Sequence, residues 1–226
     1  MALIPRRGLL VKTRSTRLAI LCLTLAATPA LAQVLYDNGP LNGTINAWVF
    51  NFGFTVSDTF TLASDSTAGG FEFVAWEFPG DVLQSVDWSI TTQENAGNVL
   101  GSGTASGQNL TDTFLFVNRF GFDIDKITVT GLDAALKGGT YWLNLQNASV
   151  ASGDPVYWDE NDGVDCGGSD GKGGNCPSLA SDTSIGTIFS ETFTVTGAGT
   201  TPEPGSMVLL GSGIVSLGGV LRRKML

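Results

Sequence analysis

The sequence contains no histidine, few cysteines and little positive charge between its ends. Without histidine, a Ser-His-Asp triad and an imidazole-bound zinc are both excluded. Three cysteines, none in a C-x-x-C pair, leave no basis for a thiolate metal cluster or a dithiol redox centre. Uncharged apolar runs are short. Leu18–Ala27 and Ser206–Leu221 stand out, and both fall below the roughly 20 residues of a permanent membrane span. Lys and Arg number 12 against 21 Asp and Glu. The stretch 33–201 keeps only Arg119, Lys126, Lys137 and Lys172 against 20 acids, a net charge of −16. Such a surface repels nucleic-acid phosphates and anionic lipid, so no nucleic-acid partner is expected. It can attract divalent cations.

The remaining positive charge marks the two ends. Arg6, Arg7, Lys12, Arg14 and Arg17 precede the apolar run 18–27, and small residues follow at Ala30 and Ala32. That order is a secretory signal peptide over 1–32, with cleavage by signal peptidase after Ala32. At the other end, Pro202-Glu203-Pro204 leads into Ser206–Leu221, and Arg222, Arg223 and Lys224 follow. As a helix the apolar stretch would reach about 24 Å, short of a hydrocarbon core of about 30 Å. Its glycines favour a transient span, and the basic cluster should remain on the cytoplasmic side.

Triplet, apolar run and basic tail together resemble the PEP-CTERM sorting signal. The resemblance covers about 25 of the 226 residues. It implies recognition by exosortase, a membrane protease-transpeptidase that cuts near the triplet. Pro202, Glu203, Pro204, Arg222, Arg223 and Lys224 are then processing residues and not a site of the protein's own activity. The implied route is an inner-membrane intermediate, then the cell surface, outer envelope or extracellular matrix of a Gram-negative bacterium. The family association is with exopolysaccharide and biofilm. The expected organisation is a signal peptide over 1–32, a body over 33–197, a linker and motif over 198–204, and a hydrophobic sorting helix with its basic tail over 205–226.

The body alternates with period two, which buries one face of each strand and wets the other. Even positions from Trp48 to Leu62 are mainly aromatic or aliphatic, with a break at Ser57-Asp58 that reads as a turn. Tyr141, Leu143 and Leu145 share one parity; Val86, Trp88 and Ile90 share another. A phase change near Asp125-Lys126 points to a bulge or strand break. Leu132–Leu136 hints at a helical turn. Turn clusters fall at 37–40, 67–70, 95–98 and 137–139. Eight to ten short strands without helices make an all-β fold, an antiparallel β-sandwich of jelly-roll type. The segments YDNGPLNGT (36–44), FPGDVLQSVDWSITT (78–92) and SGDPVYWDEN (152–161) resemble a body type that recurs among PEP-CTERM proteins. That type implies fold and address, with no established activity.

Three groups of residues carry candidate chemistry. Cys166 and Cys176, ten residues apart in an exported chain, should form a disulfide. Between 154 and 178 the acids crowd. Asp159, Asp162, Asp165 and Asp170 form a candidate calcium set of hard oxygen ligands, although the spacing fails the EF-hand template. The competing reading is a solvated acidic loop. Trp142, with Asn144 and Gln146 on the same strand face, and Trp158 offer a sugar platform of ring and amides, against the commoner fate of tryptophan in a core. Glu77 shares the parity of Phe71, Phe73 and Ala75, so an acid enters an apolar face at the rim or in a site. The expected function is non-enzymatic adhesion or polysaccharide binding, with calcium as a possible ion. The alternatives are a hydrolase or lyase on the same scaffold and a purely structural β-domain.

Overall fold

The computed structural model describes residues 32–161 and 178–198. The signal peptide apart from Ala32, Cys166 and Cys176, Asp162, Asp165 and Asp170, and the sorting segment from 199 onward lie outside the described residues. Thirteen strands run through the described part. They are β1 (Val34–Asp37), β2 (Ala47–Val49), β3 (Thr55–Leu62), β4 (Ser66–Glu77), β5 (Ser85–Gln93), β6 (Ala96–Ser106), β7 (Leu110–Val117), β8 (Asp123–Leu136), β9 (Gly139–Ser149), β10 (Tyr157–Asp159), β11 (Ala180–Asp182), β12 (Gly186–Ile188) and β13 (Phe193–Gly197). A single 3-10 turn, Gly107–Asn109, joins β6 to β7.

All pairings are antiparallel, and they form two sheets. The seven-stranded sheet is built on β4, which pairs with β8 along one edge and with β13 and β10 along the other. Strands β7, β1 and β2 extend it outward. The six-stranded sheet runs β12-β11-β3-β9-β5-β6. The sheets pack through their alternating apolar faces. Phe60, Tyr141, Leu143 and Leu145 from one meet Phe71, Phe73, Phe193 and Val195 from the other. Phe60 approaches Phe193 edge-on at 6.4 Å between ring centroids, and Trp88 approaches Phe71 at 6.1 Å. Edge-to-face contact is the arrangement that ring quadrupoles favour. A smaller cluster of Val74, Trp76 and Ile124 covers the other face of the seven-stranded sheet, beneath Leu41, Phe122 and Tyr157.

The two antiparallel sheets agree with the sequence reading. Several local expectations do not. β3 runs unbroken through Ser57-Asp58, because Asp58 points inward and its Oδ2 is held by polar partners, so no turn is needed. The interruption lies just before β3, where Phe52 adopts φ 55° and is 63% exposed. β8 is likewise continuous past Asp125-Lys126. The apolar parity changes because this part of β8 is covered on both faces, Ile124 by the small cluster and Ile127 by the main core. The bulge sits in the neighbouring strand, between Phe114 and Phe116 of β7. Leu132–Leu136 is strand, with Leu132, Ala134 and Leu136 buried in alternation. Thr67–Gly70 is no turn either, since it lies within β4.

Candidate functional site

Cross-strand partners share a sheet face, so register decides what the outer surface of the six-stranded sheet displays. On β9 the inward set is Tyr141, Leu143 and Leu145, and the outward set is Thr140, Trp142, Asn144 and Gln146. Opposite the outward set, β3 places Thr61, Thr59, Ser57 and Thr55. On the other flank β5 contributes Thr91, Ser89 and Asp87, backed by Ser102 and Thr104 of β6. The result is a face of hydroxyls and amides with a half-buried tryptophan set between Thr59 and Thr91.

Hydrogen bonds across the strands fix this face. Thr55 Oγ1 donates to Gln146 Oε1 at 2.9 Å, and Thr61 and Thr140 share a bond of 2.9 Å. Thr104 donates to Asp87 Oδ1, and Asn147 Nδ2 donates to Asp87 Oδ2 at 2.9 Å. Asn144 is only 2% exposed. Its Nδ2 donates to Ser89 Oγ and Thr91 Oγ1, both at 3.0 Å, and its Oδ1 accepts from Asn95 N–H at the β5–β6 turn. Asn144 therefore holds the hairpin against β9 and does not present its amide to solvent. Gln146 and Trp142 remain accessible.

Trp158 is not part of a surface platform. It is 0% exposed, packs edge-on against Phe73 and Phe193, and donates its indole N–H to the Thr192 carbonyl at 2.8 Å. Pairing with Ala75 of β4 aims it into the core, where a buried ring with its N–H satisfied is stable. Trp142 and Trp158 thus lie in different sheets and form no common strip.

Asp159 also turns away from solvent. It faces the side of the seven-stranded sheet that the 41–45 segment covers. Its Oδ1 accepts from Trp76 Nε1 at 2.6 Å and Gly43 N–H at 2.9 Å, and its Oδ2 accepts from Asn42 N–H at 3.0 Å. Burial pushes its carboxyl up to about 7 against the lowering effect of these donors. With its lone pairs committed, it anchors the 41–45 segment and is a poor first ligand for a cation shared with Asp162, Asp165 and Asp170.

A second buried polar group ties the two sheets together. Asp58 Oδ2 accepts from Glu191 N–H at 2.6 Å and from Ser190 Oγ and Asn38 Nδ2, each at 3.1 Å. Burial pushes Asp58 up to about 7. Glu191 is fully buried. Burial, then the charges of Asp58, Glu160, Asp159 and Asp182, push its carboxyl well above the usual glutamate value. Sequence pattern alone assigned Asp58 to a turn. The residues that satisfy it lie 20 and more than 130 positions away, which no local window reports.

Residues 200–224 match the PEP-CTERM protein-sorting motif, a stretch that includes Pro202, Glu203, Pro204, Arg222, Arg223 and Lys224. No curated protein matches the chain. The motif implies export, processing by exosortase and surface sorting in bacteria.

Proposed function

We propose that this exported, exosortase-sorted protein is a non-enzymatic component of the cell surface or polysaccharide matrix of a Gram-negative bacterium. It is held there by polysaccharide bound on the outer face of the six-stranded sheet. The observation that carries the reading is Trp142, an accessible ring among hydroxyl and amide side chains. An indole face stacks on pyranose C–H groups while neighbouring hydroxyls and amides pair with sugar hydroxyls. Thr61, Thr140, Gln146, Ser102 and Thr104 supply those polar groups, all exposed on that face. Where the polysaccharide is acidic, the −16 charge of the body calls for divalent cations between the two.

The non-enzymatic reading draws support from where the carboxylates sit. Glycoside hydrolysis uses two carboxyl groups about 5–10 Å apart, flanking an accessible bond. Among the described residues, four surface depressions carry one carboxylate each: Asp65 lines two of them, Glu72 a third and Asp154 a fourth. Asp58, Glu77 and Glu191 are buried beyond the reach of a polymer.

The test is binding of the full chain to a panel of neutral and acidic polysaccharides, with calcium present, comparing wild type with Trp142→Ala. The reading predicts affinity for at least one polysaccharide and a loss of about tenfold or more in the variant. Binding that Trp142→Ala leaves unchanged, or binding to none of the panel, would sink it.

A further inference from the structure

Glu77 is the last residue of β4, on the inner face, where the apolar core of the sandwich ends. The parity of Phe71, Phe73 and Ala75 carries it inward. Its partners bring two more acids to the same place. Asp125 of β8 faces Ala75, and Asp112 of β7 faces Ile127, so both point to the side where Glu77 lies. One carboxylate oxygen from each of Glu77, Asp112 and Asp125 falls within 4.8 Å of the other two.

Three acids in contact are by themselves a common surface accident. Here Glu77 and Asp125 are buried and Asp112 is half-buried. Glu77 is 0% exposed, and no N–H, hydroxyl or basic group among the described residues reaches either of its oxygens; the neighbouring Asp112 carboxyl can bond it only through a shared proton. Asp125 Oδ2 is buried and equally unserved. Only Asp112 has a donor, Leu83 N–H at 2.7 Å to Oδ2. Buried polar groups are almost always paired, and buried charges are paired or bound to metal. Two of the basic residues of the described part have other partners, and Lys137 follows the far end of β8 from Asp125. Lys126 pairs with Glu72 at 3.6 Å, and Arg119 lies over the Phe120 ring. Burial, then the charges of Asp112, Asp125 and Asp81, push Glu77 up to about 9, a measure of how poorly the free group tolerates its own charge.

We propose that Glu77, Asp112 and Asp125 bind a divalent cation, calcium by its chemistry. Oxygens around one calcium ion at 2.3–2.6 Å lie no more than about 5 Å apart, which the 4.8 Å spread meets. All three ligands are hard oxygens, and Glu77 has both of its oxygens to give. Calcium tolerates irregular geometry and takes six to eight oxygens, the remainder from water entering past half-buried Asp112. Magnesium demands a regular octahedron and gives up its water reluctantly, which three clustered carboxylates do not suit. The ion would join β4, β7 and β8 at the end of the sandwich and replace a mutual repulsion with a cross-link. An affinity of about 10⁻⁴–10⁻³ M would match extracellular calcium. This site is separate from the outer face that carries Trp142.

Calcium chloride is titrated into the full chain at pH 7.5 after EDTA treatment, by calorimetry and by thermal unfolding. Wild type should bind and gain roughly 5 °C in Tm at 5 mM calcium. Glu77→Gln and Asp125→Asn should abolish the gain while keeping, or raising, the Tm measured in EDTA, because each removes a buried carboxyl that without the ion must take up a proton or stand as an unpaired charge. Should either fail to fold, Asp112→Asn at its half-buried position gives the same readout. No heat and no shift in wild type would overturn the proposal and leave the three acids sharing protons. A shift of equal size in the variants would also overturn it and move the ion to another set, with Asp162, Asp165 and Asp170 next to be tested.

Discussion

Asp58, Asp159 and Glu191 set an unusual pH dependence. In an unfolded chain such groups release their protons near pH 4. In the folded protein Asp58 and Asp159 hold theirs up to about pH 7, and Glu191 is shifted in the same direction, each chiefly because of burial. From about pH 4 to 7 the native state therefore binds more protons than the unfolded state. Stability then falls as pH rises through that window. Asp58 alone accounts for roughly 4 kcal/mol across it. Melts in EDTA should give the highest Tm near pH 4–5 and a steady decline towards pH 8, with Asp58→Asn flattening the curve. A Tm that climbs to neutrality would contradict the burial assigned to these groups. At this scale the sequence announced Glu77, since its parity placed an acid on an apolar face. It concealed Asp58, Asp125 and Glu191. A carboxylate inside an alternating run reads as an interruption unless its distant partners are known.

The strands were legible wherever one face is wet and the other dry, as in β9 with Tyr141, Leu143 and Leu145 inward. Legibility failed where both faces are covered, as at the start of β8, and where glycine serves packing instead of turning. Thr67–Gly70 has the composition of a turn, yet it pairs with β8 on one side and β13 on the other. A Cβ on Gly70 would sit 2.4 Å from the Val129 carbonyl oxygen, and one on Gly69 would sit 2.4 Å from the Ala198 backbone. The residue is glycine because neighbouring backbone comes too close for anything larger. Gly70→Ala should destabilise the protein by about 1–3 kcal/mol, against a usual gain for Gly→Ala in an unstrained strand. Urea denaturation measures it, and an unchanged or raised midpoint would show that the β4–β8 contact is looser than described. The platform face shows the same division. Parity put Trp142, Asn144 and Gln146 on one side correctly. It did not reveal that Ser89, Thr91 and the Asn95 N–H consume the Asn144 amide.

At the scale of the whole molecule, the address was the clearest message of the sequence, because a sorting signal is read linearly by its receptor and needs no fold. The match over residues 200–224 rests on those same positions. The body's role was hidden, since an acidic β-sandwich is compatible with many ligands or none. Its buried acidic groups sit where strands and sheets join, and the proposed recognition falls on the outer face of the six-stranded sheet. The most direct measurement expresses wild type and Trp142→Ala in the native host and divides each between extracellular matrix and culture medium after equal export and processing. The account predicts that wild type stays with the matrix polysaccharide and that Trp142→Ala moves mainly into the medium. The same partition for both proteins would contradict it and place the recognition surface elsewhere.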